Sequence, residues 1–290
     1  MTPTQARAFL AVALKGSFSE AARSLRVSQP TVTSQVKEIE RYYAVELFRR
    51  NGRGAALTPL GESLLPPIRR MFGNFDEANT LLGEIKGLRR GTLRVGSYGP
   101  FDVIKIVGRF QRRFPFVTLW VDFANSESLA EKLLNYDLDV AVLGRIKRQP
   151  KFSMLPFSRP PLVVIAPRNE KWSGRTSVSA AELKNEIIVR RERGSAARAT
   201  HDRFFEKVKI PPNRIFQFGS REGVISAVAE GIGLATVFDE GFFPEDRVVK
   251  LKIDGPPFTS KVDVVCLADR RSNPLISNFI EVAKEILCGA

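Results

Sequence analysis

The stretch FSEAARSLRVSQPTVTSQVKEIE, from Phe18 to Glu40, decides the fold at the start of this chain. It predicts two short helices joined by a tight turn. Ser19 is expected to cap the first helix and Ser28 the second, because a short oxygen-bearing side chain accepts a hydrogen bond from an otherwise unpaired backbone N–H. Pro30 falls in the first turn of the second helix, where its missing N–H is harmless. Apolar residues at helical spacing predict the inner faces of both helices, namely Phe18, Ala21, Ala22, Leu25, Val32, Val36 and Ile39.

The outer flank of the second helix carries hydrogen-bonding and basic side chains. Their size suits contacts with base edges and phosphates in the major groove of DNA. The predicted DNA-binding residues of this flank are Gln29, Pro30, Thr31, Thr33, Ser34 and Lys37. A polar outer face is also found on any small helical hairpin. Small alanines at the helix crossing, combined with this polar start of the second helix, favour DNA recognition.

The composition fits a folded, multidomain chain. Its 290 residues favour two domains or more, and a hydrophobic content of 43% is enough for a packed core. The net charge of +14 favours a polyanionic partner, because each neutralised phosphate releases counterions. Plain solubility explains the same surplus, which is spread along the chain. Charge alone therefore does not locate a DNA site.

The cysteine and histidine content is low. Cys266, Cys288 and His201 have no metal-ligand spacing, so neither a metal site nor a cofactor is expected, and His201 is interpreted as structural. The composition is typical of a reduced, cytoplasmic protein. No signal peptide is visible, and no apolar stretch approaches the roughly 18 residues that span a bilayer. A membrane partner is therefore not expected.

A supporting helix and a basic hairpin flank the helix pair. Residues 4–15 predict the supporting helix, and Gly16 ends it. Leu47-Phe48 and Ala56-Leu57 flank a Gly- and Arg-rich turn, which predicts a short β-hairpin, or wing. The residues predicted to face DNA phosphates are Arg49, Arg50 and Arg53, and Thr58 is also predicted to bind DNA. A solvated basic loop is the alternative, but its position directly after a helix-turn-helix favours the wing.

Residues 5–61 resemble the LysR-type transcriptional regulators. The resemblance rests on F-S-E-A-A-R-S-L-x-V-S-Q-P-T-V-T-x-Q-V-x-x-I-E followed by L-F-x-R-x-x-R-x-x-x-L-T-x-x-G. The chain departs at Tyr43-Ala44, where the family usually has Leu-Gly. Because alanine adopts a left-handed cap only at a cost, the turn before the wing is expected to differ locally. More loosely, the chain is similar to members linked to 2-aminoethylphosphonate breakdown.

The next segment predicts a helix that pairs with a second copy. Ile68, Met71, Phe75, Ala78, Leu82 and Ile85 recur at spacings of three and four, as in a heptad seam. An amphipathic helix lying on its own domain is the alternative. Pro66-Pro67 predicts a kink or break, because prolines remove helical hydrogen bonds. The resemblance implies a long linker helix that forms the dimer contact, and assembly as a homodimer or homotetramer.

From Thr92 onward, short apolar runs alternate with helical patterns, which indicates crossover units and a mainly parallel sheet. The predicted strands are 92–96, 117–123, 140–143, 162–166, 187–189, 215–218, 234–237 and 262–267, and the predicted helices are 103–114, 126–134, 196–208, 221–230 and 273–287. The resemblance implies a two-lobed, periplasmic-binding-protein-like effector domain, with crossings near 160–162 and 261–265.

The predicted fold is therefore α+β and multidomain. A winged helix-turn-helix DNA-binding domain occupies residues 1–58, and a linker and dimerisation helix occupies residues 59–90. The effector-binding domain occupies residues 91–290, with lobe I at about 91–160 and 265–290 and lobe II at about 161–264.

A ligand site is predicted where strand ends meet helix N-termini, as is usual in open α/β sheets. Helix starts and arginines there suit an anion. The predicted effector-binding residues, which the resemblance places in the inter-lobe pocket, are Ser97, Tyr98, Gly99, Ser126, Arg193, Gly194, Ser195, Ala196, Ser220 and Arg221. The hypothesis is a small carboxylate, phosphate or phosphonate. Each serine by itself also fits an ordinary N-cap.

The leading interpretation is a sequence-specific transcriptional regulator that binds a promoter inverted repeat in double-stranded DNA. A small anionic co-inducer would change the pose of its DNA-reading domains, and so promoter bending or contact with RNA polymerase. The alternative is a solute-binding receptor with an accessory helical domain, against which the lack of an export signal argues. An enzyme is not expected, because no nucleophile elbow, P-loop or paired acid/base motif appears.

Overall fold

The structure is a computed structural model that describes residues 1–51, 54–85, 91–209, 214–239 and 246–289. The chain divides into a unit Met1–Leu82 and a unit Gly83–Ala290. The described elements that begin in the first unit are α1 (Pro3–Lys15), α2 (Phe18–Leu25), α3 (Gln29–Tyr43), β1 (Phe48–Asn51), β2 (Gly54–Leu57) and α4 (Pro59–Ile85).

The first unit packs α1, α2 and α3 around small and branched apolar side chains. Ala21, Ala22, Val32 and Val36 are buried in one cluster, as the helical spacing predicted. Ser28 caps α3, as predicted, by accepting a hydrogen bond from the backbone N–H of Thr31. The small alanines let α2 approach α3 closely, which fixes the direction of the outer flank of α3.

The predicted cap at Ser19 is wrong. Helix α2 begins at Phe18, and Ser17 is its cap, with an extended backbone and a hydroxyl that accepts a hydrogen bond from the N–H of Glu20. Both serines have suitable chemistry. Phe18 lies in the first turn of α2, where it packs against the buried cluster, so the cap falls one residue before it.

Ala44 adopts the left-handed cap despite the cost of its side chain, and the expected local difference of the turn stays a prediction. Ala44 ends α3 with φ 53° and ψ 46°. Two hydrogen bonds to Glu40 hold the segment that follows Ala44. The N–H of Val45 donates to the Glu40 carbonyl at 2.9 Å, and the N–H of Leu47 donates to the Glu40 carboxylate at 2.8 Å. These bonds offset the roughly 1–2 kcal/mol that a side chain costs in this conformation.

The wing is a two-stranded antiparallel hairpin of β1 and β2. The N–H of Ala55 donates to the carbonyl of Gly16 at 2.8 Å and ties the hairpin to the end of α1. Gly54 has φ 147°, and a Cβ here would approach the Gly16 carbonyl oxygen to 2.3 Å. The turn therefore requires glycine at this position.

Of the predicted kink or break at Pro66-Pro67, the break does not occur, since α4 is helical from Pro59 to Ile85, and the kink stays a prediction. The hydrogen bonds that the prolines remove would join the carbonyls of Glu62 and Ser63, and both residues are exposed to water. Ile68 also departs from the predicted seam. Its side chain is only 3% exposed and packs in the core of the first unit.

The first lobe of the second unit is a five-stranded sheet, in the described residues, of order β4-β3-β5-β13-β6. Its elements are β3 (Gly91–Ser97), α5 (Pro100–Arg113), β4 (Val117–Phe123), α6 (Ser126–Leu134), β5 (Val140–Gly144), β6 (Phe152–Ser158), and, after the second lobe, β13 (Val262–Leu267) and α10 (Pro274–Cys288). Helices α5 and α10 cover one face of the sheet, and α6 covers the other.

The second lobe is a sheet of order β10-β9-β11-β7-β12-β8 in the described residues. Its elements are β7 (Leu162–Pro167), β8 (Ser177–Val178), α7 (Ala180–Leu183), β9 (Ile187–Arg191), α8 (Ala196–Val208), β10 (Arg214–Phe218), α9 (Arg221–Ala229), β11 (Leu234–Phe238) and β12 (Val248–Ile253). Helices α8 and α9 cover opposite faces.

Both sheets are mixed rather than mainly parallel. β13 pairs antiparallel with β5 and β6, and β7 pairs antiparallel with β11 and β12. The chain crosses between lobes where the N–H of Leu162 donates to the carbonyl of Phe258 and the N–H of Ser260 donates to that of Pro160. Because β13 starts at Val262, residues 262–264 belong to the first lobe, whereas the predicted boundary lay near 265.

A buried carboxylate secures the first lobe. Asp139 is 4% exposed and accepts hydrogen bonds from the backbone N–H of Arg94 at 2.7 Å and from Arg270 Nη1 at 2.6 Å. Burial alone would raise the pKa of Asp139, but the guanidinium groups of Arg94 and Arg270 outweigh it and hold that pKa below its usual value.

Candidate DNA-binding flank and ligand cleft

The outer flank of α3 presents its polar residues at the surface of the first unit. Gln29, Pro30, Thr31, Ser34 and Lys37 are exposed, and Thr33 is half-buried. Because Val32, Val36 and Ile39 lie on the buried side, the helical repeat directs these polar side chains outward. The predicted residues therefore share one accessible face.

Several side chains of this flank are held by hydrogen bonds from neighbouring residues. Ser19 Oγ, on α2, donates to Gln29 Oε1 at 2.9 Å. Ser34 Oγ donates to Glu38 Oε1 at 3.2 Å, and Gln5 Nε2 donates to Glu38 Oε2 at 3.0 Å. The polar surface of α3 is thus oriented by α1 and α2.

The wing is only partly described. Arg49 is exposed on β1. The side chain of Arg50 and the whole of Arg53 lie outside the described residues. Thr58 has a structural role that the sequence did not reveal, because its hydroxyl donates to the carbonyl of Glu46 at 2.7 Å and accepts from the N–H of Gly61 at 3.1 Å. That engagement leaves it poorly suited to bind a phosphate.

A cleft between the lobes of the second unit has a volume of about 480 Å³ in its outer part. The residues that line the outer part are Tyr98, Gly99, Pro100, Phe123, Ala124, Asn125, Arg191, Glu192, Gly219, Ser220, Arg221 and Glu222. A narrower inner part of about 30 Å³ adds Ser195, Ala196, Ala197, Val224, Val237 and Phe238. Predicted segments from both lobes therefore meet at one cleft.

Helix N-termini border this cleft. Gly99, Asn125, Ser195 and Ser220 are the N-caps of α5, α6, α8 and α9. Gly99 makes no side-chain cap, so the first N–H groups of α5 remain available to another acceptor. The partial positive charge of these helix ends favours an anion.

Two arginines bring positive charge to the cleft, which the carboxylates of Glu192 and Glu222 also line. The guanidinium of Arg221 stacks over the ring of Phe101, 4.9 Å from its centroid. Arg191 lines both parts of the cleft and was not predicted. Its Nε and Nη2 donate to the two carboxylate oxygens of Glu192, at 2.8 and 2.9 Å. Successive side chains of a strand point to opposite faces, so Arg190 and Arg191 lie on opposite faces of β9. This alternation was the sequence signal that could have singled out Arg191.

Part of the predicted effector set lies elsewhere. Ser126, Arg193 and Gly194 line a separate groove of about 630 Å³ beside α6 and α8, together with Arg198. Ser195 and Ala196 border both spaces. Gly194, directly after Arg193, turns the chain with φ 84°. The cleft between the lobes therefore does not bring together Ser126, Arg193 and Gly194 with the other predicted residues.

The predicted serines have structural bonds of their own. Ser97 Oγ donates to the carbonyl of Gly99 at 2.6 Å, and Ser126 Oγ accepts from the N–H of Gly144 at 3.1 Å. Ser195 and Ser220 cap their helices. These hydroxyls set the backbone around the cleft, so ligand contacts would come from N–H groups and from Arg191 and Arg221.

A DNA-reading helix with a wing, joined to a two-lobed domain with a charged cleft, defines a class of protein. The class is the DNA-binding transcriptional regulators that carry a domain for a small effector. Family comparison agrees: the bacterial regulatory helix-turn-helix protein, lysR family, matches residues 3–62, and the LysR substrate binding domain matches residues 86–287. The chain belongs to the LysR family.

Known proteins share its sequence and fold. The RuBisCO operon transcriptional regulator of Allochromatium vinosum is 32% identical over 96% of this chain and 93% of its own. Full-length CbnR, solved with its target DNA, has a TM-score of 0.72 and 21% identity over 98% of this chain and 99% of its own. The CcmR regulatory domain of Synechocystis PCC6803, solved with 2-PG, has a TM-score of 0.61 and 22% identity over 68% of this chain and 97% of its own.

These findings do not favour a solute-binding receptor, because the helix-turn-helix match covers residues 3–62. No helix in the described part of the chain is both long enough and apolar enough to cross a membrane.

Proposed function

We propose that this regulator reads promoter DNA with the outer flank of α3 and the wing, and that a small anion in the inter-lobe cleft changes its DNA binding. In this proposal, residues 1–58 bind DNA, residues 59–90 pair two copies, and residues 91–290 bind the effector. The protein works in the cytoplasm, on duplex DNA, and is not an enzyme.

The exposed polar face of α3 carries the DNA-binding part of the proposal. Gln29 and Thr33 are placed to contact base edges, and Lys37 and Arg49 to contact phosphates. CbnR, which has the same fold and was solved as a complex with its target DNA, supports this use of the fold. A face of this kind binds in the major groove, where each base pair has its own pattern of donors and acceptors.

The exposed stripe on α4 supports pairing of two copies. Met71, Phe75 and Leu82 are 39%, 56% and 63% exposed in the single chain. Large apolar side chains at seam spacing favour burial against an identical helix. Twin DNA-reading helices then match the half-sites of an inverted repeat. A dimer, or a dimer of dimers, and contact with RNA polymerase complete the proposal.

The cleft supports a small anion as the effector. Its outer part lies within the usual range for ligand pockets, and helix N-termini and arginines face it. The CcmR regulatory domain, which has the same fold, was solved in complex with 2-PG, which supports a small ligand in this domain. The anion changes DNA binding only if it has unequal affinity for the two states of the regulator.

The test measures DNA affinity by fluorescence anisotropy, on the duplex upstream of the reading frame, while anions are added. The probes are phosphate, 2-aminoethylphosphonate and shikimate. At least one is expected to change the affinity in the wild type but not in Arg221→Ala. Arg214→Ala, which removes an exposed arginine outside the cleft, should respond like the wild type. Calorimetry in which only neutral ligands bind would contradict the anion assignment.

A further inference from the structure

Ser19 is exposed near the start of α2, and its hydroxyl does not serve as the helix cap. Its Oγ instead donates a hydrogen bond across the turn to Gln29 Oε1, at 2.9 Å. Because the atom that accepts this bond is Oε1, the bond engages the carbonyl end of the Gln29 amide. The amide NH₂ of Gln29 is therefore directed away from Ser19.

We propose that Ser19 is a positioning residue that sets the polarity of Gln29, so that Gln29 presents its two N–H donors to DNA and selects a keto base. This inference rests on the proposed DNA-binding flank. It goes further, because it assigns a role to a residue outside α3 and names the kind of base edge that is read.

The chemistry of the major groove gives the preference. Guanine presents the acceptors O6 and N7, and thymine presents the acceptor O4. Adenine and cytosine present an NH₂ donor at the equivalent position. A glutamine reads adenine through both ends of its amide, with the carbonyl accepting from the adenine NH₂. The Ser19 bond uses one of the two lone pairs of that carbonyl and directs the oxygen toward α2, so the NH₂ is the end presented to DNA, and guanine or thymine becomes the better partner.

The backbone on both sides of the Ser19–Gln29 hydrogen bond is fixed, so this bond can set the orientation of the Gln29 amide. Gln29 is the first residue of α3, directly after the Ser28 cap, and Pro30 restricts the chain on its other side. Helix α2 is held against α3 through the buried Ala21 and Ala22. Because both backbones are anchored, the Ser19 bond leaves the Gln29 amide little rotational freedom.

The experiment selects bound duplexes from a pool of random sequence, using the full-length wild type, Gln29→Ala, Ser19→Ala, Ser19→Thr and Ser24→Ala. The position that Gln29 reads is the one whose base preference is lost in Gln29→Ala. Ser24→Ala is the matched control, because Ser24 lies on the same helix but donates to the carbonyl of Ala21.

The wild type is expected to prefer a keto over an amino base at that position by roughly tenfold, the scale of a good base contact. Ser19→Ala should reduce the preference to about twofold or less, without a change in melting temperature, because Ser19 is exposed. Ser19→Thr, which keeps the hydroxyl, and Ser24→Ala should retain it.

The outcomes separate this inference from the proposed function. If Gln29→Ala selects the same sequences as the wild type, the recognition assignment of Gln29 fails. If Gln29→Ala changes one position and Ser19→Ala leaves it unchanged, only the role of Ser19 is overturned. A wild-type preference for adenine or cytosine there would mean that the Gln29 carbonyl accepts from the base, and would overturn the polarity.

Discussion

The stability of the second lobe is expected to depend on pH through one buried side chain, that of His201. It lies on α8, is 2% exposed, and shares a 2.8 Å hydrogen bond between its Nδ1 and Thr236 Oγ1. Burial lowers its pKa to about 4, and the guanidinium groups of Arg190 and Arg198 act in the same direction against the opposing effect of Asp202. The folded protein therefore keeps this imidazole neutral.

The expected consequence is a loss of stability in mild acid. The histidine of the unfolded chain has a pKa near 6.5, so between about pH 6.5 and 4 the unfolded state binds the additional proton. The free energy of unfolding should thus fall as the pH is lowered through this window, by as much as about 3 kcal/mol. Urea unfolding followed by the fluorescence of Trp172, in a Trp120→Phe background, measures it within the second lobe.

His201→Gln is the comparison for this effect. Because it lacks the titrating ring, its stability should change less with pH over the same window. Carboxylates with lowered pKa values, such as Asp139, lose their contribution only at still lower pH and do so in both proteins. Parallel pH curves for the wild type and His201→Gln would show that the burial of His201 has no effect on stability.

Individual residues also show where sequence reasoning reached its limit. Ser17 and Ser19 have the same chemistry, and only the packing of Phe18 decides which of them caps α2. Arg191 lines the cleft, whereas Arg193, two residues further on, lines the separate groove. Such choices depend on contacts that are remote in sequence, so composition and spacing leave them open.

At the scale of one element, α4 carries a face that the single chain leaves exposed. Phe75→Asp is expected to weaken self-association by roughly 100- to 10,000-fold, because a two-fold interface buries one phenylalanine from each copy, at roughly 1.5–3 kcal/mol apiece. Sedimentation equilibrium measures the effect. The core of the first unit should remain folded, since Phe75 is 56% exposed there.

Asn74→Asp is the matched control, because it adds the same charge at the neighbouring exposed position of the same helix. It should associate like the wild type. If both substitutions weaken self-association equally, the added negative charge explains the effect. If Phe75→Asp associates like the wild type, α4 is not part of the dimer interface.

The elements with strong patterns were predictable, whereas their arrangement was not. β4, α6, α8 and β13 follow apolar periodicity, and their observed bounds equal the predicted ones. β6 was missed because it is an edge strand that contains Pro156. β12 was missed although its apolar residues alternate with lysines, which is a strand pattern. Mixed pairing was also unpredictable, because the return of β13 between β5 and β6 is a non-local event.

At the scale of the whole molecule, the net charge of +14 does not by itself say where DNA binds. Only cationic side chains that contact phosphates release counterions. The dependence of DNA affinity on salt therefore measures how many phosphate contacts the protein makes. Arg49→Ala is expected to weaken binding evenly across sequences, and to reduce the slope of log K against log salt by about one per bound copy. Fluorescence anisotropy from about 50 to 200 mM salt measures the slope.

Arg112→Ala is the control, because it removes one exposed positive charge from α5 and so changes the net charge equally. Its salt slope should match that of the wild type. If both variants lower the slope by the same amount, long-range attraction by the whole chain explains DNA binding better than a wing contact does.

The position of β13 also sets an order of events during synthesis. The chain leaves the ribosome from its N-terminus, and the described strands of the second lobe have all emerged once Ile253 has done so. The first lobe begins earlier but lacks the strand that joins β5 to β6 until Leu267 has followed, and α10 comes later still. The nascent first lobe therefore leaves an edge of β5 unpaired for longer than its neighbour leaves its described strands, and an unpaired edge of this kind can pair with another chain.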